Sequence, residues 1–571
     1  MTTVAESLVN SLVRAGASRV YGVVGDSLNS VVDAVRRTPG IEWVSVRHEE
    51  VAAYAAGAEA QVTGRIAVCA GSCGPGNLHL INGLFDSHRS YAPVIAIAAQ
   101  IPSAELGTSY FQETHPERLF RECSHYCELV ANPEQIARVV PAAIETSLTR
   151  RGVSVIVLPG DVATQTAPGA SFAVTPPSAP PQLSPPARDL EALAQLLNGA
   201  RRVTLFCGAG CADARAEVLT LADRLGAPIV HTMRGKQFVQ SENPFDVGMT
   251  GLLGLAPGYR AMHRCDLLLL LGADFPYDSF YPRGVTIAQV DVRGEHLGRR
   301  TPISLGVVGD VRTTLTALLP HLERKADRAH LERARGEFDA VQRELTDRAH
   351  ALDIPGAIHP QVVAATVSRL AAPNTLFTVD TGMTTVWAAR YLAMPPGRGL
   401  IGSFNHGSMA NALPQAIGAQ AADRSRPVVS LSGDGGLGML LGDLLTLVEH
   451  DLPVKVVVFN NSALGMVKLE MQVAGLPDHG TDFKPVHFAN IAAAMGIPSV
   501  RVEKAEHLEA ALAPMLGRSG PALIDVVTTP YELAVPPDAS IREGWGMGLF
   551  ALREVMLGHS HELLEELRTN L

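Results

Sequence analysis

The chain has 571 residues, of which 47% are hydrophobic and 18% are charged, and it carries a net charge of −10. This length exceeds what one hydrophobic core usually supports, so the sequence predicts about three domains, and the composition excludes a disordered or fibrous protein. The acidic balance, with no basic stripe to offset it, argues against nucleic acid as a partner.

The cysteines and the start of the chain indicate a cytoplasmic protein. Seven cysteines, scattered and odd in number, do not form a disulfide framework and fit a reducing compartment. Cys123, His125 and Cys127 are closely spaced but lack a second pair of ligands, so a zinc site is not predicted. Residues 1–14 contain only short apolar runs, which is not the pattern of a signal peptide. The run 267–271 is too short to cross a bilayer, so we expect a protein that at most lies on a membrane surface.

Short apolar strands alternate with helices along most of the chain. The alternation over residues 5–162 is typical of a doubly wound parallel sheet, and the Pro-rich segment 167–187 predicts an extended linker. A second α/β unit begins with a strand at 203–207 and ends in charged helical sequence over 321–351. The sequence therefore predicts an α/β fold of three doubly wound parallel-sheet domains, over residues 1–180, 181–335 and 336–530, followed by a C-terminal helical tail over 531–571.

The most informative stretch lies in the third unit. Asp434 stands between two glycines after a hydrophobic strand, and Asn461 follows a predicted strand over 454–459, with a helix predicted over 439–450 between them. We expect Asp434 and Asn461 to lie at the carboxyl ends of neighbouring parallel strands, where ligands bind in such folds. Their oxygens suit Mg²⁺, and the glycines let the backbone approach a diphosphate.

Glycine–aspartate–glycine, a spacer of this length and paired asparagines resemble the signature of thiamine-diphosphate enzymes. The resemblance implies that Asp434, Asn461 and the backbone carbonyl of Ala463 bind Mg²⁺. It implies three domains that bind, in turn, the pyrimidine ring, FAD and the diphosphate. It also implies that thiamine diphosphate contacts the surrounding loops, which comprise Gly435, Gly436, Ser462, Leu464, Gly465 and Met466.

Glu49 lies where a predicted strand is followed by a helix. An acidic residue at a helix N-terminus often only complements the helix dipole. In thiamine-diphosphate enzymes, however, a glutamate at the matching position hydrogen-bonds the aminopyrimidine ring and promotes proton transfer from the thiazolium C2. The resemblance assigns this role to Glu49. Because the diphosphate site lies far along the chain, we expect two subunits of a homo-oligomer to share each site, with a dimer as the minimum active unit. The family implies a tetramer.

Gly407, Ser408 and Met409 resemble the segment that bends the coenzyme in this family. The resemblance implies that the Gly407 carbonyl accepts a hydrogen bond from the 4′-amino group and that Met409 acts as an apolar wedge. Core packing is the alternative role for a methionine before an apolar helix.

Four further residues resemble the family's substrate site. Phe111 and Gln112 match a segment that contributes an aromatic ring and a glutamine to the keto-acid pocket. Glu470 matches an active-site glutamate of pyruvate oxidases, with a surface carboxylate as the alternative. Met466 stands where an aromatic residue near the flavin is expected.

The middle domain resembles the flavin-binding domain of the pyruvate oxidase and acetolactate synthase branch. A glycine-rich turn at 208–210 is by itself a weak sign of a nucleotide, but an acid at the end of a strand often holds a ribose hydroxyl. The resemblance assigns FAD binding to three segments, which comprise Thr250, Gly251, Leu252 and Leu253, then Gly272, Ala273, Asp274, Phe275 and Pro276, and then Asp291.

Over nearly the whole chain, the long motifs are similar to those of the bacterial pyruvate dehydrogenase (quinone) family of membrane-associated pyruvate oxidases. These motifs are 47–61, 69–85, 111–130 and 402–420. The resemblance implies oxidative decarboxylation of pyruvate to acetate and CO₂, with electrons passed through FAD to a membrane quinone such as ubiquinone. It also implies that the tail binds a phospholipid surface at the inner face of the cell membrane. The apolar helical face of the tail favours this binding and its glutamates oppose it.

Three alternatives stay open at this point. The residues around Met466 are also similar to acetolactate synthases, but those synthases carry a tryptophan at the position of Glu470. An oxidase that uses phosphate and oxygen is the second alternative. The third is a protein that keeps the thiamine fold and binds nucleotides without turnover, and the joint presence of Glu49, Asp434 and Asn461 argues against it.

Overall fold

A computed structural model describes residues 2–168, 182–350 and 357–532 of the chain. These residues form three six-stranded sheets whose paired strands run parallel. The predicted class, three doubly wound α/β domains, is confirmed. The predicted helical tail and most of the predicted linker lie outside the described residues, and the domain boundaries stay predictions.

The first sheet consists of β1 (Arg19–Gly22), β2 (Glu42–Ser45), β3 (Ala67–Gly71), β4 (Val94–Gln100), β5 (Tyr126–Leu129) and β6 (Val153–Pro159). Its helices are α1 (Val4–Arg14), α2 (Asn29–Arg37), α3 (Glu49–Thr63), α4 (Pro75–Arg89), α5 (Pro116–Leu119), α6 (Ile136–Arg150) and α7 (Gly160–Thr164). The strand order is β2-β1-β3-β4-β6-β5. Strands β3, β4 and β6 are buried along their whole length, as expected of parallel strands covered on both faces.

The second sheet consists of β7 (Val203–Cys207), β8 (Ile229–His231), β9 (Asp246–Met249), β10 (Leu267–Leu271), β11 (Thr286–Asp291) and β12 (Leu305–Val308). Its helices are α8 (Ala187–Gly199), α9 (Arg215–Leu225), α10 (Met233–Val239), α11 (Ala256–Arg264), α12 (Val311–Leu318) and α13 (Ala329–Ala349). The order is β12-β11-β10-β7-β8-β9, which is the order of dinucleotide-binding folds, with a topological switch point between β7 and β10.

The third sheet consists of β13 (Leu376–Val379), β14 (Gly399–Gly402), β15 (Val428–Gly433), β16 (Lys455–Asn460), β17 (Ser499–Val502) and β18 (Ala522–Val527). Its helices are α14 (Pro360–Leu370), α15 (Met383–Tyr391), α16 (Ala412–Ala422), α17 (Asp434–Met439), α18 (Leu444–Glu449), α19 (Gly465–Val473), α20 (Phe488–Ala494) and α21 (Leu508–Leu516). Its strand order, β14-β13-β15-β16-β18-β17, has the same topology as that of the first sheet.

Helix α3 joins the first domain to the third. Its residues 51–58 are all buried, and it packs directly on α16. A Cβ on Gly418 would lie 2.0 Å from the carbonyl oxygen of Ala55, so glycine is required where the two helices cross. The two domains share one hydrophobic core as a result. Glu49, the first residue of α3, therefore has a fixed position relative to the third domain of its own chain.

The predicted helix over 439–450 is wrong in its extent. The structure has α17 ending at Met439 and α18 beginning only at Leu444. The carboxylate of Asp443 accepts hydrogen bonds from the Arg47 backbone N–H at 2.9 Å and from the Thr446 hydroxyl at 2.8 Å. This contact with the first domain stabilises the break between the helices. The predicted strand over 454–459 is β16, shifted by one residue.

In the part of the chain that the structure describes, no helix combines the length and the hydropathy that a membrane span requires.

Candidate active site

Asp434 and Asn461 follow the adjacent parallel strands β15 and β16, as the sequence predicts. Asp434 is only 7% exposed, and its carboxylate oxygens accept hydrogen bonds from the N–H groups of Gly435 at 2.8 Å and Ser462 at 2.6 Å. Burial raises the pKa of Asp434 to about 6, although both N–H groups favour the ionised form. A cation would favour that form further. The carboxylate and amide oxygens at these strand ends are a donor set that fits Mg²⁺.

A cavity of about 90 Å³ lies at this edge of the third sheet. A Cβ on Gly436 would lie 2.4 Å from Asp380 Oδ2, and one on Gly435 would lie 3.1 Å from Leu464 Cδ2, so glycines leave room that larger residues would fill. The predicted coenzyme and metal residues that line this cavity are Met409, Asp434, Gly435, Gly436, Asn461, Ala463, Leu464, Gly465 and Met466.

Asp380 is a second buried carboxylate in this cavity. Its oxygens accept hydrogen bonds from the N–H groups of Ala412 at 2.9 Å and Gly433 at 3.2 Å. Burial raises the pKa of Asp380 to about 7, and the backbone donors act in the opposite direction. Asp380 thereby holds together the turn before Asp434 and the start of α16.

Glu49 is buried at the start of α3, with 8% of its surface exposed. Its Oε2 lies 2.9 Å from His79 Nδ1, and a Cβ on Gly76 would lie 3.0 Å from its Oε1. The ring of His48 stacks on that of His79 with a centroid distance of 4.3 Å, and His48 Nδ1 accepts a hydrogen bond from the Glu50 N–H. Burial is the main cause that lowers the pKa of His48. The carboxylate of Glu49 is therefore held in one orientation by a histidine pair and a glycine-rich loop.

Phe111 and Gln112 lie beside the same glycine-rich loop, which spans residues 71–77. Gln112 has a left-handed backbone with φ of 62°, and its Oε1 accepts a hydrogen bond from Cys73 Sγ at 3.4 Å. Phe111 is 77% exposed. The left-handed backbone of Gln112 is strained for a residue other than glycine, and strain of this kind is typical of functional loops. The loop places Gln112 and Glu49 on one region of the first domain.

One chain does not bring Glu49, Phe111 or Gln112 to the cavity of Asp434. All the described residues that line this cavity belong to the segment 360–532. The geometry of a single chain thus separates the predicted catalytic glutamate from the predicted metal ligands.

A second cavity, of about 640 Å³, lies between the three domains. Two of the predicted flavin residues do not line it. Ala273 packs in the hydrophobic core, and Gly251 supports Phe275, since a Cβ on Gly251 would lie 2.6 Å from that ring. The predicted flavin residues that do line it are Thr250, Leu252, Leu253, Gly272, Asp274, Phe275, Pro276 and Asp291.

This cavity opens at the switch point of the second sheet. The turn after β7 begins at Gly208 and contacts the turn after β10. The approach is so close that a Cβ on Gly208 would lie 2.2 Å from the Gly272 carbonyl oxygen. Asp291, at the end of β11, accepts a hydrogen bond from the Arg293 N–H at 2.9 Å and has a second carboxylate oxygen 3.6 Å from His296 Nδ1. Dinucleotides bind in a crevice at this position in such sheets. The volume of the cavity and the carboxylate of Asp291 fit FAD.

Sequence reasoning missed four arginines that line the same cavity, namely Arg151, Arg234, Arg293 and Arg312. Arg151 has a left-handed backbone with φ of 51°, and within the described residues its guanidinium makes no ion pair. Burial, and then the charge of Arg293, lower the pKa of Arg151. The guanidinium of Arg293 lies 4.0 Å from the centroid of the Tyr91 ring. Guanidinium groups in a nucleotide-sized cavity fit a diphosphate. In the sequence Arg151 is only the second of two arginines at a helix end, so no motif marks it.

Helix α19 forms a wall that the two cavities share. Met466 lines both cavities, and Glu470, one turn later, lines the second together with Gly407. Ser408 and Ser462 line neither cavity but lie beside residues that do. The predicted residues from the third domain are thus gathered around two adjacent cavities.

The chain matches three family models that describe thiamine pyrophosphate enzymes. These are the N-terminal TPP binding domain over residues 2–119, the central domain over 190–318 and the C-terminal TPP binding domain over 380–526. The chain therefore belongs to the thiamine pyrophosphate enzyme family.

Relatives of this chain include both oxidases and synthases. A putative thiamine pyrophosphate-containing protein, YdaP, of Bacillus subtilis (strain 168) is 34% identical over 98% of this chain and 97% of its own length. The pyruvate oxidase of Lactiplantibacillus plantarum is 30% identical, with coverage of 90% and 86%. The chloroplastic acetolactate synthase 1 of Oryza sativa subsp. japonica is also 30% identical, with coverage of 93% and 85%. These similarities establish the family and thiamine diphosphate as its coenzyme, but they do not distinguish an oxidase from a synthase.

Proposed function

We propose that the protein is a pyruvate oxidase that depends on thiamine diphosphate, Mg²⁺ and FAD. It converts pyruvate and water to acetate and CO₂ and passes the two electrons through FAD to a membrane quinone such as ubiquinone, which becomes the quinol. Thiamine diphosphate, when bound, would stabilise the negative charge that decarboxylation leaves, and FAD would accept the electrons.

The observation that supports this proposal is the wall shared by the two cavities. Met466 lies between the cavity of Asp434 and the nucleotide-sized cavity at the switch point of the second sheet. A coenzyme that carries electrons would therefore sit directly beside the one that carries out decarboxylation. Glu470, which lines the second cavity from the same helix, supports the oxidase because the synthases carry a tryptophan there.

Each predicted residue has a defined task in this proposal. Asp434, Asn461 and the carbonyl of Ala463 would hold Mg²⁺, which would neutralise charge on the diphosphate. The carboxyl group of Glu49 would hydrogen-bond the pyrimidine ring and hold or return a proton there. Phe111 and Gln112 orient pyruvate, and Glu470 can hold or release a proton near the reacting carbon.

We propose that the active unit is a homo-oligomer in which one subunit supplies Glu49 to its partner's Asp434 cavity. The apolar side chains around the glycine-rich loop support this arrangement, since Phe111 is 77%, Tyr110 45% and Leu78 45% exposed in the single chain. Exposed apolar residues in one region mark interaction surfaces. A dimer is the minimum, and the family favours a tetramer.

The test of the function is anaerobic addition of pyruvate to the protein loaded with thiamine diphosphate, Mg²⁺ and FAD. The expected result is bleaching of the visible absorbance of the oxidised flavin, release of acetate and reoxidation by a soluble quinone. Acetolactate without bleaching would identify a synthase. A requirement for phosphate with oxygen as acceptor would identify the other oxidase class, and no consumption of pyruvate would identify a protein without turnover.

We propose further that the C-terminal tail, over residues 531–571, brings the enzyme to a phospholipid surface at the inner face of the cell membrane, where the quinone lies. Almost all of this segment lies outside the described residues, so the proposal is based on the sequence of the tail and on its resemblance to the quinone-dependent family. An apolar helical face would supply the binding energy.

Arg151→Ala is expected to weaken FAD binding by about 10-fold or more, because a charge-assisted hydrogen bond to a phosphate is removed from a partly desolvated site. The measurement is the FAD retained after gel filtration, read from the flavin absorbance of the protein fraction. Arg150→Ala is the matched control, since Arg150 ends the same helix but does not line the cavity. Equal flavin retention in the Arg151→Ala variant and the control would contradict the role of Arg151.

A further inference from the structure

One face of helix α4 holds the loop 403–409, which carries the predicted coenzyme residues. Asn82, Asp86 and Arg89 occupy positions i, i+4 and i+7 of α4 and therefore lie on the same side of the helix. Each of these residues contacts the loop through a hydrogen bond. The loop belongs to the third domain, so these contacts cross from one domain of the chain to another.

Asn82 uses its whole amide group in these contacts. Its Nδ2 donates to Ser408 Oγ at 3.0 Å and to Glu50 Oε1 at 2.8 Å. Its Oδ1 lies 2.8 Å from His406 Nε2. Asn82 thus links His406 and Ser408, which flank Gly407, to the first turn of α3. Its contact there is Glu50, the residue that follows Glu49.

Asp86 supports the other end of the loop. Its carboxylate accepts hydrogen bonds from Ser403 Oγ at 2.7 Å and Gln415 Nε2 at 3.1 Å, and the group is 1% exposed. Ser403 Oγ accepts in turn from the Ser408 N–H at 3.0 Å. The loop is therefore anchored at both ends to residues of one helix.

The backbone of the loop needs external support. Gly407 has φ of 79°, and Ala410 has φ of 63°, a left-handed conformation that costs energy for a residue with a side chain. Met409 follows Ser408 directly and reaches Gly435, where a Cβ would lie 3.4 Å from Met409 Cε. A shift of Ser408 would hence be transmitted both to the Gly407 carbonyl and to the apolar side chain in the first cavity.

We propose that Asn82 is a positioning residue for the loop 403–409 and thereby for the bent conformation of the coenzyme. The inference rests on the proposed function, since it assumes that Gly407 and Met409 contact thiamine diphosphate. Asn82 does not line either cavity, so it acts through Ser408 and His406 and does not touch the coenzyme.

The test compares the affinity of the full-length, FAD-loaded protein for thiamine diphosphate in the presence of Mg²⁺, measured by isothermal titration calorimetry. Asn82→Ala removes the bonds to Ser408 and His406, so we expect Kd to rise by about 10-fold. Asn198→Ala is the matched control, because Asn198 also links two segments through both ends of its amide, at 3.0 Å and 2.9 Å, but lies in the middle domain. Its Kd is expected to equal that of the unmodified chain.

A double-mutant cycle with Ser408→Ala separates positioning from general destabilisation. If Asn82 acts through Ser408, the double variant is expected to bind thiamine diphosphate no more weakly than Asn82→Ala alone. The inference would be overturned if the affinity losses of the two single variants multiplied in the double variant, or if Kd were unchanged in Asn82→Ala. If Asn82→Ala does not fold, Asn82→Leu takes its place, because it keeps about the same volume, adds no charge beside Glu50 and loses the amide donors. Absence of coenzyme binding in the unmodified chain would instead overturn the proposed function.

Discussion

Replacing Glu49 by glutamine is expected to lower kcat for pyruvate by about 10²–10⁴-fold. A carboxylate can accept a proton at the pyrimidine ring and return it, whereas the neutral amide cannot. The fold should tolerate the change, because the amide keeps the shape of the carboxylate and can still bond to His79, which lies 2.9 Å from Glu49 Oε2. The measurement is the steady-state rate of dye reduction at saturating thiamine diphosphate, with bound FAD read from the flavin absorbance.

Glu6→Gln is the control for the Glu49 variant. Glu6 is also a first-turn glutamate, in α1, where it forms a capping box with Thr3 far from either cavity. Its replacement is expected to leave kcat unchanged. If the Glu49→Gln variant turned over at a rate close to that of the control, the assigned role of Glu49 would be wrong.

Replacing Asp434 by alanine is expected to abolish the retention of thiamine diphosphate that depends on Mg²⁺, with a rise in Kd of at least about 100-fold. The change removes a metal ligand and leaves the N–H groups of Gly435 and Ser462 without their acceptor. The measurement is calorimetric titration with the coenzyme, with Mg²⁺ and then with a chelator. FAD should stay bound, since Asp434 does not line the second cavity.

Asp423→Ala controls for the loss of a carboxylate from the third domain. Asp423 accepts hydrogen bonds from Ser425 and Arg426 in a turn outside the cavity, and its loss is expected to leave coenzyme binding unchanged. Tight coenzyme binding by the Asp434→Ala variant, still sensitive to chelation, would place the metal elsewhere.

The two variants together test whether subunits share the site. When inactive Glu49→Gln and Asp434→Ala chains exchange subunits, half of the dimers are mixed, and each has one site with both native residues. Activity should recover to about a quarter of the native value if the site is shared, and should stay absent if each chain builds its own site.

The positions of Asp434 and Asn461 at the edge of the third sheet were predictable because the two residues are close in sequence. Asp434 and Asn461 each follow a buried strand by one residue, and consecutive parallel strands with a short crossover are usually neighbours. The positions of Gly272 and Asp291 at strand ends were predictable for the same reason, and FAD binding there stays a prediction. Of the residues predicted to bind the flavin, Gly251 and Ala273 do not line the cavity.

The sequence pattern does not indicate the strands β5, β9 and β12, which lie at the edges of their sheets. Edge strands are short and pair on one side only, so their hydrophobic pattern is weak, as the partly exposed β5 illustrates. The break between α17 and α18 escaped prediction because it depends on Arg47, which is remote in sequence.

The sequence by itself determined the family and the α/β class and indicated the candidate residues for metal, coenzyme and flavin, because strand periodicity and glycine-flanked motifs are local properties of the chain. The tertiary structure alone decided how these parts meet. Arg151 lines the cavity of about 640 Å³ between the domains, and Met466 lies between that cavity and the cavity of Asp434. Asn82 links Ser408 to the helix that begins with Glu49. These contacts form between domains, where packing brings together residues whose proximity no spacing along the chain encodes.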